Sequence, residues 1–147
     1  MKELLFQSQS GWAGLVLRIT AALVMFPHGA QKLMGWFGGY GFKGTMGYFT
    51  QTVGLPWVIG FLVIVLEVFG SLAILAGIGT RLWAIALGIV VIGIMFTAHI
   101  QNGFFMNWFG NQAGEGVEYF LLLLGIYISL VISGSGKLSV DELLMAK

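Results

Sequence analysis

The sequence predicts an all-α integral membrane protein, and two observations carry that prediction. Of its 147 residues, 58% are hydrophobic and only 9% are charged, whereas soluble domains average about 25% charged residues. The apolar residues also fall into four long runs, most of them close to the roughly 20 residues that a helix needs to cross a bilayer. We therefore expect a single transmembrane domain over residues 1–147, built as a four-helix bundle with the lipid bilayer as its first partner.

Charge and cysteine content exclude several classes of function. The formal net charge is +1 at pH 7, so the chain lacks the basic surplus that is typical of nucleic-acid-binding proteins. It has no cysteine, which excludes disulfides, thiol chemistry and thiolate-bound iron–sulfur clusters. Two histidines and few carboxylates leave little for a dedicated metal site. We expect neither a nucleic-acid partner nor a metal ion.

The apolar runs and their flanking residues give approximate helix bounds. We expect transmembrane helices at about residues 12–34, 56–78, 81–100 and 117–133, and a short amphipathic tail over residues 139–146. The tail is Ser-capped, and two acidic residues stand in its first turn. Residues 35–54 are rich in glycine and aromatic residues, a composition that indicates a loop at the membrane interface.

That loop contains a match to G-x-G-x-x-G between Gly39 and Gly44. The dinucleotide-binding motif requires a preceding strand within a βαβ unit. Here an apolar helix precedes the match, so we reject a nucleotide site.

The distribution of basic residues predicts the orientation. Four spans put both termini on one side, and an excess of Lys and Arg marks the cytoplasmic side. The side with the termini has Lys2, Arg81, Lys137 and Lys147, and the other side has Lys32 and Lys43. This asymmetry favours cytoplasmic termini.

Each predicted helix has one stripe of polar or small residues at helical spacing. The stripes are Arg18–Met25–Lys32, Gly60–Glu67–Ser71, Gly88–Met95–His99 and Glu118–Gly125–Ser129. If all four face a common axis, they line a polar cavity that opens outward, with Glu67 at its floor. We expect Glu67 to face the bundle interior and to pair with Arg18, because ionisable groups inside a membrane are usually paired.

Four residues at the outer depth are the candidate catalytic groups: His28, Lys32, His99 and Glu118. Two imidazoles, an ammonium and a carboxylate could donate hydrogen bonds to a carbonyl or an anionic oxygen and titrate near neutral pH. The candidate cofactor-binding residues are Arg18, Gln31, Glu67 and Trp36.

Structural roles compete with each of these assignments. Arg18 and Glu67 could form an ion pair that only fixes helix register. The histidines could pack or cap, and Lys32 could extend its ammonium to the interface. Bis-histidine haem ligation by His28 and His99 is a further alternative, which would require both rings to face one flat slot.

Three segments resemble the signatures of one family, the DoxX family of small four-helix bacterial membrane proteins. The segments are Phe26-Pro27-His28-Gly29-Ala30-Gln31-Lys32-Leu33 after Arg18, then Glu67-Val68-Phe69-Gly70, and finally Gly134-Ser135-Gly136-Lys137-Leu138-Ser139-Val140-Asp141. The resemblance implies a multi-pass protein of the bacterial inner (cytoplasmic, plasma) membrane. The family takes its name from a subunit of a thiosulfate:quinone oxidoreductase. Other members are associated with quinone or catechol detoxification and with oxidative-stress complexes.

Two functions remain open. The first is a quinone-interacting or redox-accessory subunit, with a quinone as its cofactor or substrate. Since the chain has no evident electron carrier of its own, this function requires a partner redox subunit or a bound cofactor. The second is a non-enzymatic membrane binding protein, or an assembly factor or chaperone for a partner membrane protein. A homo-oligomer is compatible with both, and the sequence alone leaves open whether the chain is catalytic.

Overall fold

The computed structural model describes residues 11–145, and over that range the chain is helical with no β-strand. This confirms the predicted all-α class. The described α-helices, with the π-helical and 3-10 turns inside α3 and α4 included, are α1 (Trp12–Met34), α2 (Gly41–Gly47), α3 (Trp57–Ala76), α4 (Thr80–Asn102), α5 (Glu118–Ser133) and α6 (Val140–Met145). A 3-10 turn (Trp36–Gly38) precedes α2, and a π-helical turn (Tyr48–Thr52) follows it. Residues 1–10 and the last residue of the predicted tail lie outside the described residues.

Three of the described helices, α1, α3 and α4, are long and apolar enough to cross a membrane. Helix α5 is apolar as well, but it has 16 residues, fewer than the roughly 20 that a perpendicular span requires. Two of the spanning helices contain a π-helical turn, at Leu66–Gly70 in α3 and at Met95–His99 in α4. Such turns occur frequently at functional sites.

The four long helices pack as a ring in chain order. Helix α1 packs against α3 and α5, and α4 packs against the same two helices from the opposite side. Helices α3 and α5 therefore face each other across the centre. The core between the four helices is apolar and includes Met25, Ile74, Leu87, Tyr127 and Leu130.

The predicted inner faces of α1 and α3 are confirmed, and that of α5 is wrong. Arg18, Met25, Gly60, Glu67 and Ser71 are all buried. In α4, Gly88 is buried whereas Met95 and His99 are half-buried. In α5, Gly125 is exposed, and the buried residues are Phe120, Leu123, Tyr127 and Leu130. Hydrophobic packing, rather than polarity, selects the inner face of this helix.

The predicted pairing of Arg18 with Glu67 is also wrong. Arg18 is fully buried near the end of the bundle where both described termini lie, and its guanidinium donates hydrogen bonds to five backbone carbonyls. The acceptors are Ser135 at 2.6 Å, Leu75 at 2.7 Å, Lys137 at 2.8 Å, Leu138 at 3.1 Å and Ile74 at 3.4 Å. Two of these carbonyls belong to the last turn of α3, where intrahelical donors run out. The planar fork of five N–H groups suits such a set of acceptors.

The C-terminal segment is held against this end of the bundle by further polar contacts. The Asp141 carboxylate accepts hydrogen bonds from the backbone N–H groups of Gly79 at 2.7 Å and Thr80 at 3.0 Å, where it caps the N-terminus of α4. The Ser139 hydroxyl accepts a 3.1 Å hydrogen bond from the Glu142 N–H, as a Ser cap of α6 should. The segment from Gly134 to Asp141, one of the three that resemble the DoxX signatures, thus closes one end of the bundle.

Candidate functional site

A buried ion pair lies inside the bundle, towards the end opposite Arg18. The Lys32 ammonium is 2.6 Å from Glu67 Oε2, and the side chains are 23% and 1% exposed, respectively. Lys32 lies in the last turn of α1. Glu67 lies near the middle of α3, about 15 Å from Trp57, the first residue of that helix, by helical rise. The prediction that Glu67 faces the interior is confirmed, with Lys32 as its partner.

Close approach of α1 and α3 brings the pair together. A Cβ atom at Gly29 would lie 2.8 Å from the backbone carbon of Glu67 and from the backbone nitrogen of Val68. Only glycine permits this contact between two backbones. Pro27 stands two residues earlier in α1, and the π-helical turn of α3 carries Glu67. Both helices are therefore irregular where they meet.

Two tyrosines of α5 add buried hydroxyl groups on the side of the core that faces Glu67. Tyr127 is 1% exposed and Tyr119 is half-buried, and both lie close enough to Glu67 to interact with its charge. Within the part of the chain that the structure describes, Glu67 Oε1 and both tyrosine hydroxyls are buried without a hydrogen-bond partner. Hereafter Lys32, Glu67, Tyr119 and Tyr127 are called the inner cluster.

Unpartnered buried polar atoms are rare, because each costs about 1–3 kcal/mol. Three of them in one region indicate a site that a ligand or water completes. The inner cluster offers two hydroxyl donors, one carboxylate oxygen and an ammonium within an otherwise apolar interior. It can hydrogen-bond an oxygen-bearing molecule and exchange protons with it.

The other predicted residues near Lys32 lie towards the bundle surface. His28 is exposed and interacts with Lys32 and Gln31 along the same helix. The Gln31 side-chain amide donates to the Phe37 carbonyl at 3.2 Å. Trp36 is half exposed and packs edge-on against Phe37 at 6.4 Å. The contacts of Gln31 and Trp36 stabilise the turn after α1.

His99 and Glu118 bind the backbone of the connection over residues 103–117. His99 Nδ1 lies 2.9 Å from the Glu115 carbonyl oxygen, and its ring packs on Phe120 with centroids 4.4 Å apart. The Glu118 carboxylate accepts a 2.8 Å hydrogen bond from the Met106 N–H. These contacts hold the loop, so the catalytic roles of the two residues stay predictions.

Two grooves on the surface of the bundle are apolar. One, of about 380 Å³, lies between α4 and α5, and the other, of about 200 Å³, lies between α1 and α3. Neither is lined by a charged residue, so the polar cavity open to the outside also stays a prediction. Among residues 11–145, no group of three or more His, Asp or Glu side chains could hold a metal ion.

The sequence analysis did not identify Tyr119 and Tyr127, because it considered only the charged and small residues of α5. The sequence nevertheless indicates that Tyr127 is buried. Tyr127 continues the apolar spacing of Phe120 and Leu123, which is three and then four residues, as on one helical face. A tyrosine at such a buried position needs a partner for its hydroxyl.

Comparisons with known proteins agree with the motifs. The family model for DoxX matches residues 13–100, which include the whole of α3 and nearly all of α1 and α4. Among curated proteins, the chain is 27% identical over 127 residues to "Putative oxidoreductase CatD" of Bacillus subtilis (strain 168), and the match covers 86% of this chain and 83% of that protein. No solved structure matches the chain. Because the family model covers more than half of the chain, the protein is a member of the DoxX family.

Proposed function

We propose that the chain is a membrane subunit that binds the head group of a quinone, or a similar oxygen-bearing aromatic molecule, in the inner cluster. One observation carries the proposal: the apolar interior contains a buried ion pair whose free Glu67 oxygen, together with the hydroxyls of Tyr119 and Tyr127, is buried without a hydrogen-bond partner. A quinone head group has two oxygens and an apolar ring, which match such a site. The resemblance to a protein named as an oxidoreductase supports the redox class.

The residues of the inner cluster would supply binding and protons, and not electrons. The two tyrosine hydroxyls would donate hydrogen bonds to the carbonyl oxygens of the quinone. Lys32 would stabilise negative charge on a reduced oxygen, and Glu67 would exchange protons with it. Reduction of a quinone to a quinol takes two electrons and two protons, and the electrons would come from a partner redox protein in the same membrane.

Quinone binding should depend on the Tyr127 hydroxyl. In Tyr127→Phe, which keeps the ring and removes one donor, we expect about tenfold weaker binding of a soluble quinone analogue, since a hydrogen bond contributes roughly 1 kcal/mol or somewhat more. Titration of purified protein measures this, with Tyr40→Phe as the control because Tyr40 is 87% exposed. His28→Gln and His99→Gln test the remaining sequence-based roles in the same assay.

Equal binding by the wild type and Tyr127→Phe would place the quinone elsewhere. If the wild type binds no analogue, and its lipid extract contains no quinone but a partner protein co-purifies, the chain is an assembly factor or binding protein instead. The exposed aromatic side chains of the connection over residues 103–117, such as Trp108 and Phe109 at 81% and 90% exposure, would then be a natural contact surface for that partner.

The proposed site lies in the cytoplasmic membrane of a bacterium, with both termini in the cytoplasm. Because the chain has no cysteine, single introduced thiols report unambiguously on orientation. In intact cells, we expect an impermeant thiol reagent to label Gln51→Cys and Asn111→Cys, and to leave Lys147→Cys unlabelled until the cells are opened. Labelling of Lys147→Cys alone would invert the orientation, and the inner cluster would then lie towards the cytoplasmic side.

A further inference from the structure

The groove between α4 and α5 is open at the bundle surface and has a volume of about 380 Å³. Small-molecule pockets have volumes of roughly 300–1,000 Å³. Its lining is apolar, apart from one tyrosine, and follows α4 from Ala84 to Ile92, a length of about 12 Å by helical rise. The other side is formed by α5 from Leu124 to Ile132.

Tyr127 connects this groove to the inner cluster. Its side chain lines the groove, while its hydroxyl is buried without a partner, close enough to Glu67 to interact with the Glu67 charge. The side chain of Tyr127 therefore belongs to both the apolar groove and the inner cluster.

We infer that the groove between α4 and α5 holds the apolar tail of a membrane-dissolved quinone whose head group lies in the inner cluster. This inference rests on the proposed function and specifies the substrate class, a long-tailed quinone rather than a water-soluble one. A lipid acyl chain alone in the groove would leave Glu67 Oε1 and the tyrosine hydroxyls without partners. A molecule with an apolar tail and oxygens at one end satisfies both parts of the site.

The apolar lining also defines the route of entry. The groove between α4 and α5 is open at the bundle surface and apolar, so the ligand would arrive laterally from the hydrocarbon region of the bilayer.

A side chain introduced at Gly88 can fill the groove without a steric clash. A Cβ atom at this residue would lie 3.9 Å from Leu124 Cδ2 and 4.0 Å from Tyr127 Cβ, both ordinary van der Waals distances. A larger side chain at this position would extend along the groove and occupy the space of the tail. Gly93 provides the matched control, because it lies on the same helix outside the lining, and its Cβ would have no neighbour within 4 Å.

The test compares two probes in nanodiscs free of quinone: a quinone with several isoprene units, and the same head group without a tail. With affinities expressed against the probe concentration within the lipid, wild type should bind the tailed probe at least about tenfold more tightly, because the tail gains van der Waals contacts along the groove. Gly88→Leu should abolish that preference and leave the affinity for the tail-less probe unchanged. Gly88→Ala should reduce the preference in part, and Gly93→Leu should retain it.

The outcomes separate this inference from the proposed function. If folded Gly88→Leu keeps the preference for the tailed probe, or binds the tail-less probe more weakly, the groove is not the site of the tail. If Gly88→Leu does not fold, the smaller Gly88→Ala decides: an unchanged preference contradicts the inference. Failure of the wild type to bind either probe contradicts the proposed function itself.

Discussion

Replacement of Arg18 by methionine is expected to lower the free energy of unfolding by more than about 3 kcal/mol, because hydrogen bonds from charged donors contribute roughly 1.5–3 kcal/mol each. The guanidinium is fully buried, and its donors satisfy carbonyls from both the last turn of α3 and the C-terminal segment. Methionine fills a similar volume and donates no hydrogen bond. The carbonyls would remain buried without donors, and the segment after α5 would separate from the bundle.

Two measurements check this result. Thermal unfolding in detergent gives the loss of stability, and limited proteolysis should show new cleavage after Ser133. Arg18→Lys should fall between wild type and Arg18→Met, since an ammonium keeps the charge but lacks the planar fork. Lys43→Met removes one exposed positive charge and should change neither measurement. An Arg18→Met protein that melts like the wild type and resists cleavage would show that these hydrogen bonds do not hold the segment.

Periodicity predicted the inner faces of α1 and α3 well, since the buried Arg18 and Glu67 cannot face lipid. It could not predict their partners. Residues on one helical stripe lie on the same face, but they can lie at different depths in the bundle. Arg18 lies towards one end of α1 and Lys32 in the last turn at the other end. The acceptors of Arg18 are backbone carbonyls, and these are invisible to reasoning that matches side-chain charges.

The error on α5 has a different cause. In a soluble helix, polar residues mark the outer face, but lipid is as apolar as the core, so polarity alone does not distinguish the two faces of a membrane helix. Glu118 was assigned to the interior, yet it binds the Met106 backbone beside the helix start. Tyr127 was overlooked, although its ring belongs to the core and its hydroxyl to the inner cluster.

Substitutions of Lys32 and Glu67 should be strongly coupled, and the two single variants should lose unequal amounts of stability. Lys32→Met leaves a buried carboxylate without a counter-charge, and we expect a loss of about 3 kcal/mol, the lower end of the range for a broken buried pair. Glu67→Leu should cost less, about 1–2 kcal/mol, because the partly exposed ammonium can extend to water. The double variant Lys32→Met/Glu67→Leu should recover to within about 1 kcal/mol of wild type.

A second cycle provides the control for the revised pairing. Arg18 and Glu67 have separate partners at different depths, so Arg18→Lys and Glu67→Leu should act additively, to within about 0.5 kcal/mol. Additivity in both cycles would mean that the Lys32–Glu67 contact contributes nothing to stability. Coupling between Arg18 and Glu67 alone would restore the pairing that the sequence first suggested.

Ligand binding then separates a structural pair from a functional one. In the stable double variant, the carboxylate and ammonium of the inner cluster are absent, while both tyrosine hydroxyls remain. If the pair only fixes the packing of α1 against α3, this variant should bind the quinone analogue as wild type does. If Glu67 Oε1 completes the ligand site, as its lack of a partner suggests, stability should recover and binding should not, with an affinity at least about tenfold weaker. Recovery of both properties would limit the pair to a structural role and leave the tyrosines as the residues that bind the quinone.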